Sequence, residues 1–157
     1  MVRIIVAVGA VIVDEKERVL LVKHVPERNG FWQGKWICPG GTLELGESIG
    51  EGIIREVKEE TDLDIELDTL LPPFERIVKS DGETTLHVIY IDSLARLVGG
   101  EFRLGSDVGE GIWVSREELP EIWDELHRDT QKLLEIANVS GCKAVEGASI
   151  GPLSPIT

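Results

Sequence analysis

Between Gly40 and Leu63 the chain reads GGTLELGESIGEGIIREVKEETDL, and its densest chemistry is the run Arg55-Glu56-Val57-Lys58-Glu59-Glu60. At about 100° per residue on a helix, Glu56, Glu59 and Glu60 share one face while Ile53, Ile54 and Val57 share another. Glu56 and Glu60 lie one turn apart and Glu59 sits between them, so the three carboxylates converge. Close like charges repel, and near a helix C-terminus the negative end of the macrodipole adds a cost of about 0.3–1 kcal/mol per anion. A divalent cation would offset both terms, and a donor set made only of oxygen suits Mg²⁺ or Mn²⁺ better than Zn²⁺. Arg55 stands four residues after Glu51 and four before Glu59, where it can orient a carboxylate through a charge-assisted bond. A bare Glu-x-x-Glu-Glu also occurs as a plain solvated helix face, so the surrounding elements must decide between the two readings.

Those elements are legible on either side. Ser48 is a plausible N-cap with Glu51 closing a capping box, which places a helix from about Ile49 to about Thr61. Upstream, residues 2–13 and 18–25 are β-rich runs joined by the charged turn Asp14-Glu15-Lys16-Glu17 and read as a hairpin or neighbouring strands. Residues 26–35 form a glycine-broken loop carrying Phe31 and Trp32, a candidate substrate loop, and Trp36-Ile37-Cys38 is a short strand stopped by Pro39-Gly40-Gly41. Downstream, residues 63–80 are strand-like and interrupted at Pro72-Pro73, and Asp81-Gly82 signals a hairpin into a long strand over 83–98. Large apolar residues on both faces of that strand imply helices above and below the sheet. Ser115 and Glu118 cap a second amphipathic helix expected to run through Leu119, Ile122, Trp123, Leu126, Leu133 and Leu134 to Ala137. Residues 1–137 are expected to be one domain, followed by a flexible tail over 138–157 rich in Gly, Ser and Pro.

Composition narrows the partners. The 157 residues carry 16 basic and 29 acidic side chains, a net charge of −13, which argues against a nucleic acid polymer or an anionic membrane as partner. An anionic ligand would need a mediating cation. Cys38 and Cys142 form no disulfide framework, the three histidines are scattered, and a cytoplasmic setting is expected. The apolar N-terminal run superficially resembles a secretory leader, but its β-branched residues and the charged turn after it favour a buried strand. The sequence is compatible with a homodimer.

The residues around the glutamates resemble the Nudix box. Five residues separate Gly41 from Glu47, seven separate Glu47 from Arg55, and Arg55, Glu56, Val57, Glu59, Glu60 and Leu63 follow in register without insertion. Only the late glycine of the box differs, being Asp62, and an aspartate tolerates a left-handed cap well enough that an altered cap rather than lost chemistry is expected. The resemblance implies an α/β fold, an α/β/α sandwich around a mixed, partly antiparallel sheet, and metal-dependent hydrolysis of a nucleoside diphosphate linked to another group. It further implies Glu56 and Glu60 as principal metal ligands, Glu59 as ligand or base, the Gly40 carbonyl as a further ligand, and Glu47 with Arg55 as a supporting pair. Some family members take another carboxylate from the loop before the last strand, where Asp107 and Glu110 are the candidates.

Substrate class is less legible. Lys79 stands where ADP-ribose pyrophosphatases often carry a proline, and Tyr90 lies too far along for the tyrosine of dinucleoside polyphosphate hydrolases. By elimination the first reading is a nucleoside triphosphate pyrophosphohydrolase releasing a nucleoside monophosphate and pyrophosphate. Nucleotide-sugar or dinucleoside polyphosphate hydrolysis, and a non-catalytic nucleotide sensor, stand as alternatives. Trp32, Phe31 or Phe74 are candidates to stack on a base, and Arg28, Lys35 or Arg76 to meet phosphates.

Overall fold

The computed structural model of the chain describes residues 2–24, 34–105 and 108–138. They form a seven-stranded mixed sheet with helices on both faces. Its strands are β1 (Ile4–Val13), β2 (Val19–His24), β3 (Gly40–Thr42), β4 (Asp64–Leu70), β5 (Phe74–Ser80), β6 (Glu83–Gly99) and β7 (Val108–Val114). The main path runs β4-β6-β1-β2-β7, with β3 added to β1 and β5 to β6. β1 and β6 are parallel from Ile4↔His87 to Val13↔Arg96, while the other pairings are antiparallel.

Alternation along the central strands sorts the core into two layers. Val8, Ala10 and Ile12 of β1 and Leu20 and Val22 of β2 pack on Ile53 and Val57 of α1 (Ile49–Thr61). Val11, Val19 and Leu21 face the other way, onto Leu119, Leu126, Leu133 and Leu134. Ile53 and Val57 are fully buried, so truncating Ile53 to alanine would cost about 2–5 kcal/mol. Ile54, expected on the packed face, is 47% exposed because it lies on the flank of the buried stripe.

Local signals act as expected around α1. The Glu51 N–H donates to Ser48 Oγ at 3.2 Å, and Asp62 takes the left-handed cap at φ 59°, its N–H donating to the Lys58 carbonyl. The carbonyls of Glu60 and Thr61 receive the N–H groups of Gly105 and Arg103, each at 2.9 Å, which satisfies the helix end and pins the backbone of Glu60. Asp81 and Gly82 both have positive φ, as the mirror-type turn between β5 and β6 requires.

Two expectations need correction. Pro39-Gly40-Gly41 does not end a strand, since Gly40–Thr42 pairs with β1 while Trp36 and Ile37 make only isolated bridges. The second helix is not continuous either. Ser115 and Glu118 form their reciprocal cap, but the helix they open, α2 (Leu119–Ile122), passes into a 3₁₀ turn (Trp123–Glu125) and an extended Leu126 before α3 (Arg128–Ile136). The cause is Trp36, whose N–H donates to the Glu125 carbonyl and whose carbonyl accepts from His127 N–H, each at 3.0 Å. This bridge pulls the chain out of helix while Leu126 stays buried, so apolar periodicity alone does not reveal the break. The expected tail, beyond Asn138, lies outside the described residues. No helix among the described residues is long and apolar enough to cross a membrane.

Candidate active site

The box residues come together where α1 faces the Gly40–Gly41 strand. Arg55 is the hub. Its Nε donates to Glu47 Oε2 at 2.6 Å and its Nη2 to Glu47 Oε1 at 2.8 Å, a two-pronged pair that joins α1 to the turn before it. Nη1 reaches Glu56 Oε1 at 2.9 Å and Glu59 at 3.3 Å, and Nη2 also donates to the Thr42 carbonyl. The hydrogen bond from Arg55 holds the Glu47 carboxyl down at about 2, and the same bond raises the guanidinium further, so both stay charged across any working pH.

Glu56 behaves differently. Burial pushes its carboxyl upward despite Arg55, and the charges of Glu60 and Glu59 add to the push. Its carboxylate lies flat against Gly41, where a Cβ would meet the carboxylate atoms at 2.5 Å, so only glycine leaves that space. Glu60 is buried, with Oε1 accepting from Gly40 N–H at 2.8 Å and Oε2 lying 2.7 Å from His24 Nε2. Glu59 points outward with its side chain 59% exposed. Sequence reasoning missed His24, a lone histidine at the end of β2 whose partner is 36 residues away. Nothing in local spacing could have paired the two.

Among the described residues no three His, Cys, Asp or Glu side chains already stand as a metal-holding cluster. The carboxylates instead lean on internal partners, Glu56 on Arg55 and Glu60 on His24 and the Gly40 amide. The donor chemistry nevertheless fits a hard divalent cation, because the carboxylates are oxygen donors and burial, with a smaller push from Glu60 and Glu59, disfavours the Glu56 charge despite Arg55.

The remaining candidates are placed as follows. Lys35 is exposed, with its ammonium 3.4 Å from the Asp124 carbonyl, and does not line the cleft described next. Glu110 is paired loosely with Lys23 at 4.0 Å. Arg28, Phe31, Trp32 and Asp107 lie outside the described residues.

On the α3 side of the sheet, Gly40 and Gly41 also border a narrow cleft lined by Phe74, Tyr90, Asp92 and Asp129. Phe74 and Tyr90 stack there with ring centroids 4.7 Å apart. The Tyr90 hydroxyl donates to Asp129 Oδ2 at 2.5 Å, and Arg76 lies 3.5 Å from the same oxygen. Asp92, on β6 opposite Gly9, is buried, and its Oδ2 has no hydrogen-bond partner among the described residues. Burial pushes this carboxyl up to about 7. Cys38, also on the cleft wall, is pushed up by burial as well, which keeps its thiol protonated and inert.

With this geometry in view, comparison with known proteins decides the family. The family model described as NUDIX domain matches residues 3–134. The chain belongs to the NUDIX domain family. The NUDIX chain is 32% identical over 111 residues to the ADP-ribose pyrophosphatase of Methanocaldococcus jannaschii, covering 71% of this chain and 62% of that protein. It is 33% identical over 115 residues to a human 8-oxo-dGDP phosphatase, covering 71% of this chain but 32% of that one. The match thus spans less than two thirds of the length of either relative. Among solved structures, the MutT NUDIX hydrolase of Burkholderia pseudomallei superposes with a TM-score of 0.66 at 30% identity, covering 85% of this chain and 97% of that one. The α/β sandwich is the NUDIX fold.

Proposed function

We propose that this protein hydrolyses a nucleoside diphosphate linked to another group, with Mg²⁺ or Mn²⁺ as cofactor. The observation that carries the reading is the Arg55 hub, which holds Glu47 and Glu56 on one guanidinium while Glu60 is fixed from behind by His24 and the Gly40 amide. When bound, a divalent cation neutralises diphosphate charge and activates water. In this reading Glu56 and Glu60 bind it, and the Gly40 carbonyl and Asp107 are further candidate ligands.

Arg55 and Glu47 keep Glu56 oriented. Glu59, the most exposed of the three box carboxylates, takes the proton from the attacking water or joins the ligand set. The new bond forms between water oxygen and phosphorus, and the bond to the bridging oxygen breaks, its electron pair leaving with the released phosphate group.

Our first substrate reading is a nucleoside triphosphate split into monophosphate and pyrophosphate. Likeness to an enzyme named ADP-ribose pyrophosphatase and to one named 8-oxo-dGDP phosphatase supports nucleotide derivatives as the class and keeps ADP-ribose as a second reading. The test is a panel of nucleoside triphosphates, nucleoside diphosphates, ADP-ribose and dinucleoside polyphosphates with Mg²⁺, with Mn²⁺ and with chelator. Turnover that requires a divalent cation is expected, and its absence from the whole panel would sink the reading.

A further inference from the structure

Glu56 and Glu59 accept from Arg55 of their own helix, whereas Glu60 is held from outside it. Its backbone carbonyl accepts from Gly105 N–H at 2.9 Å, its Oε1 accepts from Gly40 N–H at 2.8 Å, and its Oε2 lies 2.7 Å from His24 Nε2. The main chain and both carboxylate oxygens of this one residue are thus tied to three other segments of the chain.

His24 owes its place to the alternation of β2. Leu20, Val22 and His24 fall on the same face of the strand, and the first two belong to the core packed on α1. Core packing alone calls for a third aliphatic residue there, because a buried imidazole costs free energy unless its polar atoms are used. The His24 side chain is 1% exposed and that of Glu60 5%, so water does not stand in for the contact. An ionised carboxylate only accepts, which puts the shared proton on His24 Nε2. Nδ1, buried and with no partner among the described residues, is then the bare nitrogen.

We infer that His24 is a positioning residue for cation binding, its Nε2–H fixing the orientation in which Glu60 meets the ion. A carboxylate offers about four lone-pair sites, and His24 and Gly40 occupy one on each oxygen, leaving one on each for a cation. An imidazole can donate while neutral, so it orients the carboxylate without cancelling its charge, as a guanidinium in the same place would. The inference rests on the proposed reading in which Glu60 is a cation ligand.

The test titrates Mn²⁺ calorimetrically, without nucleotide, into the full chain, His24→Leu and His24→Gln. Leucine fills the space without a donor, while glutamine returns an N–H donor near the place of Nε2. His24→Leu is expected to lose about 10–100-fold in Mn²⁺ affinity and His24→Gln to recover most of it, a pattern that filling the core alone would not produce. Nitrogen NMR of the unaltered protein at pH 8 is expected to show His24 protonated on Nε2 and bare on Nδ1, a readout that stands even if a variant fails to fold. Parent-like affinity in His24→Leu, a His24→Gln as weak as His24→Leu, or the Nδ1–H tautomer would overturn the inference and leave the cation reading in place. A parent protein that binds no Mn²⁺ would overturn the cation reading, and the inference with it.

Discussion

Two sets of carboxylates border the Gly40–Gly41 strand, and the protein treats them oppositely. On the α1 side Glu47 is matched by a two-pronged arginine and held at about 2, a charge compensated in advance. On the α3 side Asp92 Oδ2 has no hydrogen-bond partner among the described residues, and burial pushes the carboxyl up to about 7. The same functional group is a fixed anion in one place and a buried acid driven toward its neutral form in the other. Position relative to Arg55, rather than residue type, makes the difference. A salt-bridged acid is fixed as an anion, while burial without a partner drives an acid toward its neutral form.

The contrast can be broken at several points. The largest effect is expected from Glu60→Gln, which keeps the shape and the Gly40 contact but removes the charge. In our reading kcat/KM should fall about 10³-fold, corresponding to several kcal/mol of lost electrostatic stabilisation, with the melting temperature little changed. Undiminished steady-state turnover would remove Glu60 from the ligand set.

Arg55→Lys replaces the fork with a point charge that cannot grip Glu47 and Glu56 together. A loss of about 10–100-fold in kcat/KM is expected. The Glu47 carboxyl should also move back from about 2 toward its ordinary 4.5, visible by NMR titration. Because that pKa is depressed in the fold, the stabilisation from the pair is present above about 4.5 and lost as pH falls toward 2.

Asp92 carries the opposite sign. Its folded pKa lies above the ordinary 3.8, so between 3.8 and about 7 the folded protein binds more protons than the unfolded chain, and stability declines as pH rises through that window. Asp92→Asn should therefore melt higher than the parent at pH 8, by roughly 1–2 kcal/mol of stability, and the advantage should vanish near pH 4. A variant no more stable at pH 8 would mean that the buried charge is better satisfied than Oδ2 suggests.

The smallest effect belongs to Asp62→Gly, which restores the glycine usual in the box. Glycine suits φ 59° better but forfeits the exposed Lys58 contact at 3.4 Å, so stability should shift by less than about 1 kcal/mol with turnover unchanged.

Much of the α1 side was legible in the sequence because it is local. Ser48, Glu51, Asp62 and the box spacing act within a few turns of one helix, and the structure forms the cap, the left-handed end and the Arg55 contact with Glu59. The α3 side was not legible, because its partners come from strands and helices far apart in the chain. Tyr90 meets Asp129 across 39 residues, just as on the α1 side His24 meets Glu60 across 36, and no periodicity reports such pairs. Phe74, a stacking candidate in sequence, does stack, but on Tyr90 at the cleft wall. The break before α3 was hidden for a related reason, since Leu126 is buried in either conformation and the deciding hydrogen bonds come from Trp36.

The most direct measurement is a calorimetric Mn²⁺ titration of the full chain and of the Glu56→Gln/Glu60→Gln double variant, without nucleotide. If the carboxylate face of α1 is the cation site, the parent binds Mn²⁺ saturably and the folded double variant loses at least about a hundredfold in affinity. Equal Mn²⁺ affinity in the two proteins would contradict the assignment.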